Sequence, residues 1–465
     1  MLDLALDQGD MAYPIDLLSQ ADVLARIRHD FRYRPDVQLL FNWQTGTTLR
    51  LENAVAIDII TEIFHAQAAS IEAISQALGR KYDIAPQDCI ADIWDLLNST
   101  LYAEPEPIET WDSLEKDHQT EMPFPLRIEF ELTSLCNWQC GFCYNVWKID
   151  PKLSDRDVLL KSRELRTKNM AKEDMFRLLD ECDRNDVFIV RYSGGETMLN
   201  PDFQDIIAYG ARKRLYQVVF TNGHFVDAAT AESFVRNNVR EVMISLHGTE
   251  QAHIQLTKNT LAFQKAASAI KLCTSSGISV VVESILVRDS IAELPEIVTY
   301  LNGLGVTEWR IMRYVETGKN DEHFGVSSRD TLPIMLMLDR YLADHQIKMN
   351  IGWPCSQKFC ASDTKTAIKA DDPTLAVRRR QIVNHCEAGV TWCSISFDGR
   401  IRTCPHSNHY FGDVKARGIA EGWNRMAPKV SEVLREQVTA SECSTCSVLS
   451  ACKGGCHLEH FFTPH

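Results

Sequence analysis

From residue 126 onward the chain switches six times between a short apolar run and a longer amphipathic segment. The runs at 126–133, 188–193, 217–221, 242–246, 280–286 and 309–314 are strand-like, and the segments at 172–182, 228–237, 261–275 and 291–301 carry apolar residues at helical spacing. A helix between two strands returns the chain to its starting end, so successive strands run parallel. Six such units predict an α/β fold, a partial (β/α)6 barrel with helices outside. Ligands of these folds sit at the C-terminal ends of the strands, so the loops leaving each strand are where chemistry is expected. The charged stretch 147–169 breaks the rhythm and reads as an insertion near the mouth.

The rest of the chain divides around this barrel. Residues 1–35 read as an N-terminal extension and 36–103 as a small domain. In that domain two strands flank the Gln44-Thr45-Gly46 turn. A helix capped by Asn53 follows, with Ile57, Ile60 and Ile63 on one face. A second helix starts near Ser70, and a third carries Ile90, Ile93, Trp94 and Leu97. A strand pair followed by three helices is a winged-helix-like order. Residues 104–125 form a linker rich in proline and charge, with Pro105, Pro107, Pro123 and Pro125. The barrel is assigned to 126–350, and 351–465 is a loop-like, cysteine-rich tail.

Composition removes several classes of function. The formal charge is −14, which disfavours sequence-independent nucleic-acid binding. No run is long and apolar enough to span a membrane, and the first ten residues lack a basic n-region. A cytoplasmic protein is expected, with neither nucleic acid nor membrane as a partner. In a reducing compartment the 15 cysteines point to metal or redox chemistry rather than disulfides.

The loop after the first barrel strand reads Thr133-Ser-Leu-Cys136-Asn-Trp-Gln-Cys140-Gly-Phe-Cys143-Tyr144. Three thiolates spaced C-x3-C-x2-C can hold one inorganic cluster and leave one iron open; a closed zinc site would want a fourth ligand, which no neighbour obviously supplies. The second strand ends in Tyr192-Ser-Gly194-Gly195-Glu196, the third in Phe220-Thr-Asn-Gly223, and the fourth in Ile244-Ser245-Leu-His247-Gly248. Together these resemble the radical S-adenosylmethionine (AdoMet) superfamily over about 126–318. The resemblance implies that Cys136, Cys140 and Cys143 hold a [4Fe-4S] cluster whose open iron chelates AdoMet. It places Phe142 near the adenine, Gly194, Gly195 and Glu196 at the methionyl amino group, and Ser245 at the ribose or carboxylate. Thr257 and Met312 are further cofactor neighbours on the same ground. His247 stands where the family commonly has an acid, and Ile254 replaces the aspartate of its H-D-x-x-R/T stretch. The chemistry implied is reductive cleavage of AdoMet to a 5′-deoxyadenosyl radical that removes a hydrogen atom from substrate.

The tail holds Cys386, Cys393, Gly399-x4-Cys404 and Cys443-x2-Cys446-x5-Cys452-x3-Cys456. This is similar to the SPASM extension of radical AdoMet peptide maturases, which carries two auxiliary [4Fe-4S] clusters. By that resemblance Cys386, Cys393, Cys404 and Cys456 hold the first, and Cys443, Cys446 and Cys452 the second. The fourth ligand of the second is open among His457, His460, Cys355, Cys360 and an unfilled iron position. Pro405 follows Cys404 where sulfatase maturases have an acid, which argues against formylglycine formation.

In this setting 36–103 resembles the leader-peptide recognition (PqqD-like) domain of maturases acting on ribosomally made peptides. The three resemblances converge on a radical AdoMet oxidoreductase acting on a leader-bearing peptide or small protein, with a flavodoxin- or ferredoxin-type electron donor. The expected product is a thioether or C–C cross-link. The competing functions are another radical oxidation or backbone excision on a peptide, and a non-enzymatic iron–sulfur carrier or peptide-binding scaffold. Gly194, Gly195, Glu196 and Ser245 argue against the carrier, which needs no AdoMet pocket. The catalytic base is not legible.

Overall fold

The computed structural model describes residues 19–101, 122–144, 153–315, 324–326, 328–354, 386–439 and 456. Contacts divide the chain into two compact units, 1–111 and 112–465.

The first unit runs α1 (Gln20–Asp30), β1 (Phe31–Arg34), β2 (Leu39–Asn42), β3 (Thr48–Arg50), α2 (Ala54–Phe64), α3 (Ile71–Tyr82) and α4 (Ile90–Leu101). The strands form an antiparallel sheet in the order β1-β2-β3, and the helices bury Ile27, Leu40, Ile60, Ile63, Ile74, Leu78, Ile93 and Leu97 in one core. Asn53 and Ser70 cap α2 and α3 through their side chains, an arrangement worth about 1 kcal/mol per cap. The extension assigned to 1–35 needs correction. Its second half holds α1 and β1, which make the strand pair a three-stranded sheet. Ser19 and Asp22 form a reciprocal capping box ahead of Val23, Leu24 and Ile27, all fully buried. That pattern was present in the sequence as a helix start.

The second unit follows the alternation closely. Its six barrel strands are β4 (Arg127–Thr133), β5 (Ile189–Gly194), β6 (Tyr216–Thr221), β7 (Val239–Ser245), β8 (Ser279–Leu286) and β9 (Glu308–Arg313), each overlapping its predicted run. All five neighbouring pairs are parallel. The helices are α5 (Asp155–Glu164), α6 (Lys172–Arg184), α7 (Phe203–Gly210), α8 (Ala228–Arg236), α9 (Glu250–Thr257), α10 (Ala262–Ser275), α11 (Leu294–Gly303) and α12 (Ser328–Asp344). β10 (Asn350–Gly352) pairs parallel with β9. No helix among the described residues is long and apolar enough to cross a membrane.

The tail is less loop-like than its sequence suggests. β11 (Trp392–Ile395) pairs parallel with β4, and β12 (Arg400–Arg402) and β13 (Gly412–Asp413) continue antiparallel, giving one ten-stranded sheet ordered β10-β9-β8-β7-β6-β5-β4-β11-β12-β13. Gly399, at φ +90°, turns β11 into β12 and donates its N–H to Ser396 O at 2.8 Å. A short helix α13 (Val414–Arg417) and a long one, α14 (Ile419–Thr439), complete the described tail. Glu181 of α6 accepts the N–H of Ile419 at 2.9 Å, placing a carboxylate at the positive N-terminus of α14. Fully buried Trp423 donates its indole N–H to Met122 O at 2.7 Å. Strands of two to four residues are too short to show a period, which is why they read as loop.

Candidate active site

The cysteine loop leaves the C-terminal end of β4 as expected. Cys136 is buried and Cys140 and Cys143 are half-buried. Two backbone bonds seat the loop on the end of α9: Gln139 N–H donates to Thr257 O at 3.0 Å and Gly141 N–H to Leu256 O at 3.2 Å. Behind it, Cys136, Trp138, Cys140 and Ala262 pack together.

The end of β5 closes against the start of this loop. Gly195 N–H donates to Thr133 O at 2.8 Å and Glu196 N–H to Leu135 O at 2.7 Å. Gly194 makes that approach possible: its φ is +142°, and a Cβ there would lie 2.3 Å from Thr133 O. Gly194→Ala should therefore force β4 and β5 apart and destabilise the second unit by about 2–4 kcal/mol. The expected result is a lower urea midpoint and weaker AdoMet binding by calorimetry; an unchanged midpoint would refute this reading of the glycine.

Glu196 is buried, and its carboxylate is engaged by the protein. It accepts the Thr221 hydroxyl at 2.8 Å, Asn222 N–H at 2.7 Å and Met198 N–H at 3.2 Å. Burial lifts its pKa to about 7 against the opposing pull of these hydrogen bonds. The side chain thus ties the Thr-Asn-Gly turn after β6 to the Gly-Gly turn after β5. Asn222 continues the chain of contacts, donating through Nδ2 to Asn137 Oδ1 at 2.9 Å.

Phe142 sets its ring edge-on to His247, with centroids 4.7 Å apart. His247 Nδ1 accepts Ile285 N–H at 3.3 Å, and His247 N–H donates to His253 Nδ1 at 2.9 Å. Both rings therefore carry their hydrogen on Nε2. Burial holds His247 well below the usual range, with His253 adding to it, and takes His253 to about 4. The fully buried Thr257 hydroxyl donates to His253 O at 2.7 Å and so braces α9. Ser245 stands half-buried at the end of β7 in register with Glu283, and half-buried Met312 stands in register with Ile285.

These residues fit an anionic cluster. Trp138 N–H approaches Cys136 Sγ at 3.4 Å, which favours the thiolate. Three buried donors beside the loop, Asn137 Nδ2, Trp138 Nε1 and His253 Nε2, have no acceptor among the described residues. Buried N–H groups without a protein acceptor call for another partner, and hydrogen bonds around sulfur are one means by which a protein tunes such clusters.

The described part of the insertion, 153–169, reaches the same mouth. Ser134 N–H donates to Lys168 O at 2.9 Å, and His224 after β6 reaches Asp155 of α5 at 2.7 Å. In the tail, Cys386, Cys404 and Cys456 pack with Ala388 and Trp392. Cys393 does not join them: it lies fully buried on β11 in register with Ile128, and burial pushes its thiol up. Trp392 belongs to the cysteine cluster, and neighbouring strand residues face opposite ways. Cys443, Cys446, Cys452, Cys355, Cys360, His457 and His460 lie outside the described residues.

One constellation escaped the sequence reading. Glu131 of β4 pairs with Arg402 of β12 and accepts the Tyr144 hydroxyl at 3.4 Å; the Tyr144 ring lies 4.8 Å from that of His406. The signal was Arg127-x-Glu129-x-Glu131, charges at period two in an otherwise apolar strand.

Residues 130–301 match the family model described as the Radical SAM superfamily. The chain is 26% identical over 347 residues to the mycofactocin maturase MftC of Mycobacterium tuberculosis, covering 73% of this chain and 80% of the relative. It is 23% identical over 211 residues to the PqqA peptide cyclase of Gluconobacter oxydans, covering 45% and 55%. Streptococcus suis SuiB, in a crystal structure with its precursor peptide SuiA, superposes with a TM-score of 0.70 at 15% identity, covering 94% of this chain and 96% of SuiB. The cysteine loop, the Gly-Gly-Glu turn and strands β5 to β8 thus lie where that family model matches, and the chain has the radical SAM fold.

Proposed function

We propose that this protein is a radical AdoMet maturase that oxidatively cross-links side chains of a ribosomally made, leader-bearing peptide in the cytoplasm. One observation carries the proposal: the cysteine loop and Gly194–Glu196 are bonded to each other at the C-terminal mouth of the sheet, and a second cysteine cluster is attached to that same sheet through β11. A four-iron cluster with one open iron, when bound, supplies the electron that cleaves AdoMet and releases a hydrogen-abstracting 5′-deoxyadenosyl radical.

In this reading Cys136, Cys140 and Cys143 are the ligands of that cluster. Gly194 and Gly195 let backbone approach the methionyl end of AdoMet, Phe142 and Met312 flank the adenine, and Ser245 meets the ribose or carboxylate. Glu196 fixes the two turns in register. Cys386, Cys404 and Cys456 hold an auxiliary cluster, and Cys443, Cys446 and Cys452 contribute to a second. Such clusters suit a cross-link, because closing a bond after one hydrogen-atom abstraction leaves a second electron to remove. Support comes from relatives named as a mycofactocin maturase and a peptide cyclase, and from the SuiB structure with its precursor peptide.

The first unit is the leader-binding domain in this proposal. Among the described residues β3 pairs only with β2, and its three residues are half-buried. An extended leader adds there as a fourth strand, with backbone bonds giving affinity and side-chain pockets giving selectivity. Tethering raises the effective concentration of the peptide core at the barrel.

The test is anaerobic turnover of the reconstituted full chain with AdoMet, dithionite and any short peptide found encoded beside its gene. The expected product is a peptide lighter by two hydrogens, with fragmentation locating a cross-link, and 5′-deoxyadenosine in proportion. Unmodified peptide beside abundant 5′-deoxyadenosine would overturn the substrate assignment. A larger fragment lost from the peptide would replace cross-linking with excision.

A further inference from the structure

We infer that the exposed face of α10, together with Lys258 at the end of α9, is the docking surface for the electron donor, an acidic one-electron carrier protein. The inference rests on the proposed radical AdoMet reading and adds the entry point for its electron.

Charge distribution is the first observation. The chain carries 63 acids to 49 basic residues, yet residues 251–282 contain no Asp or Glu and hold Lys258, Lys265 and Lys271. Along α10 and its N-cap residue Leu261, positions 261, 265, 268 and 271 fall within about a third of the helix circumference, given 3.6 residues per turn. The opposite face is buried through Ala262, Ala266, Ala269, Ile270 and Cys273. Lys258 and Lys271 are exposed, and Lys265 stays 38% exposed while reaching Asp155 at 3.8 Å.

The second observation is an exposed apolar residue beside these lysines. Leu261 is 49% exposed, one of few large hydrophobic side chains so placed among the described residues. Beside it a groove of about 380 Å³ is lined by Phe263, Lys271 and Tyr300, with Glu250 the carboxylate in its wall. Apolar contact beside lysines suits a transient partner of opposite charge, because the lysines steer encounter and the apolar residues hold the pair briefly.

The third observation is proximity to the cysteines. Ala262, the neighbour of Leu261, packs against Cys136, Trp138 and Cys140. Lys258 follows Thr257, whose carbonyl accepts the N–H of Gln139 beside Cys140. This face and the cluster holding two of the three thiols therefore lie on opposite sides of the first turn of α10. Tunnelling falls steeply with distance, so a carrier docked here is well placed to pass one electron to a cluster on Cys136, Cys140 and Cys143; the carrier is oxidised by one electron as the cluster is reduced by one.

The experiment compares the reconstituted full chain with its K258E/K265E/K271E variant, using oxidised flavodoxin as the probe in calorimetry at low and high salt. The wild-type chain should bind more weakly as salt rises, and the variant about tenfold more weakly at low salt with little salt dependence. Reduction of the cluster by flavodoxin hydroquinone, followed by electron paramagnetic resonance, should slow in parallel, while reduction by dithionite keeps its wild-type rate. Equal flavodoxin affinity and equal reduction by both donors would overturn the inference. If the triple variant fails to load iron, Leu261→Gln decides: weaker flavodoxin binding with intact dithionite reduction supports the surface, and unchanged binding refutes it. Absence of 5′-deoxyadenosine from dithionite-reduced wild-type chain, with AdoMet and the peptide present, would instead remove the parent reading.

Discussion

Replacing Cys136, Cys140 and Cys143 together with alanine is expected to reduce 5′-deoxyadenosine release to the no-protein background while leaving the tail cysteines loaded. The three thiols share one short loop, and no second cysteine set lies at that mouth among the described residues. The loop itself should persist, because its anchors are backbone bonds from Gln139 and Gly141 to α9 and from the Gly-Gly turn to Thr133 and Leu135. Iron content should fall by about four atoms per chain, one cubic cluster, with the rest retained. The check is iron analysis alongside mass-spectrometric quantification of 5′-deoxyadenosine after dithionite reduction. Continued release from the triple variant would refute the assignment of this loop.

Much of the barrel was legible because parallel strands buried on both faces are long, apolar and separated by helices of ordinary length. The motifs were legible for a related reason. Each lies at the end of such a strand, so the alternation that located Ile189–Gly194 also located Gly194, Gly195 and Glu196. Short elements were not. β11, β12 and β13 span two to four residues, and their place beside β4 depends on pairing across more than 250 residues of sequence. Local pattern carries no trace of such a partner. The exception is α1, whose capping box at Ser19 was a readable start overlooked among the residues assigned to an extension.

The individual roles of site residues were less legible than their positions. Glu196 and Thr257 carry oxygens suited to a ligand, yet the fold engages both with its own donors or acceptors. Cys393 has the spacing of a cluster ligand, but strand alternation turns it away from Cys386, Cys404 and Cys456. A spacing pattern records which residues are near in sequence; the face of a strand on which each one lies decides which can meet.

Arg402→Ala is expected to cost about 3–5 kcal/mol, among the largest effects of any single substitution outside the cysteines. Arg402 and Glu131 are both buried and pair across β12 and β4, where the tail joins the barrel. Burial alone would pull the guanidinium's pKa down; the Glu131 carboxylate and the neighbouring Tyr144 outweigh it and raise it, so the arginine stays charged. Truncation would strand the Glu131 carboxylate in the interior with the Tyr144 hydroxyl at 3.4 Å as its remaining donor apart from solvent or rearranged groups. It would also free the loop holding Cys404, because Arg402 donates through Nη1 to Ser407 O at 3.0 Å. Arg402→Lys keeps the charge but loses the fork that reaches two acceptors, and should fall between wild type and alanine. Glu131→Leu combined with Arg402→Met should recover most of the loss, since no charge is then left buried alone. The measurements are urea midpoints followed by tryptophan fluorescence and iron content of the reconstituted chains. Equal midpoints for wild type and Arg402→Ala would show that this pair does not hold the tail to the barrel. A lower midpoint with selective loss of tail iron would show that it does.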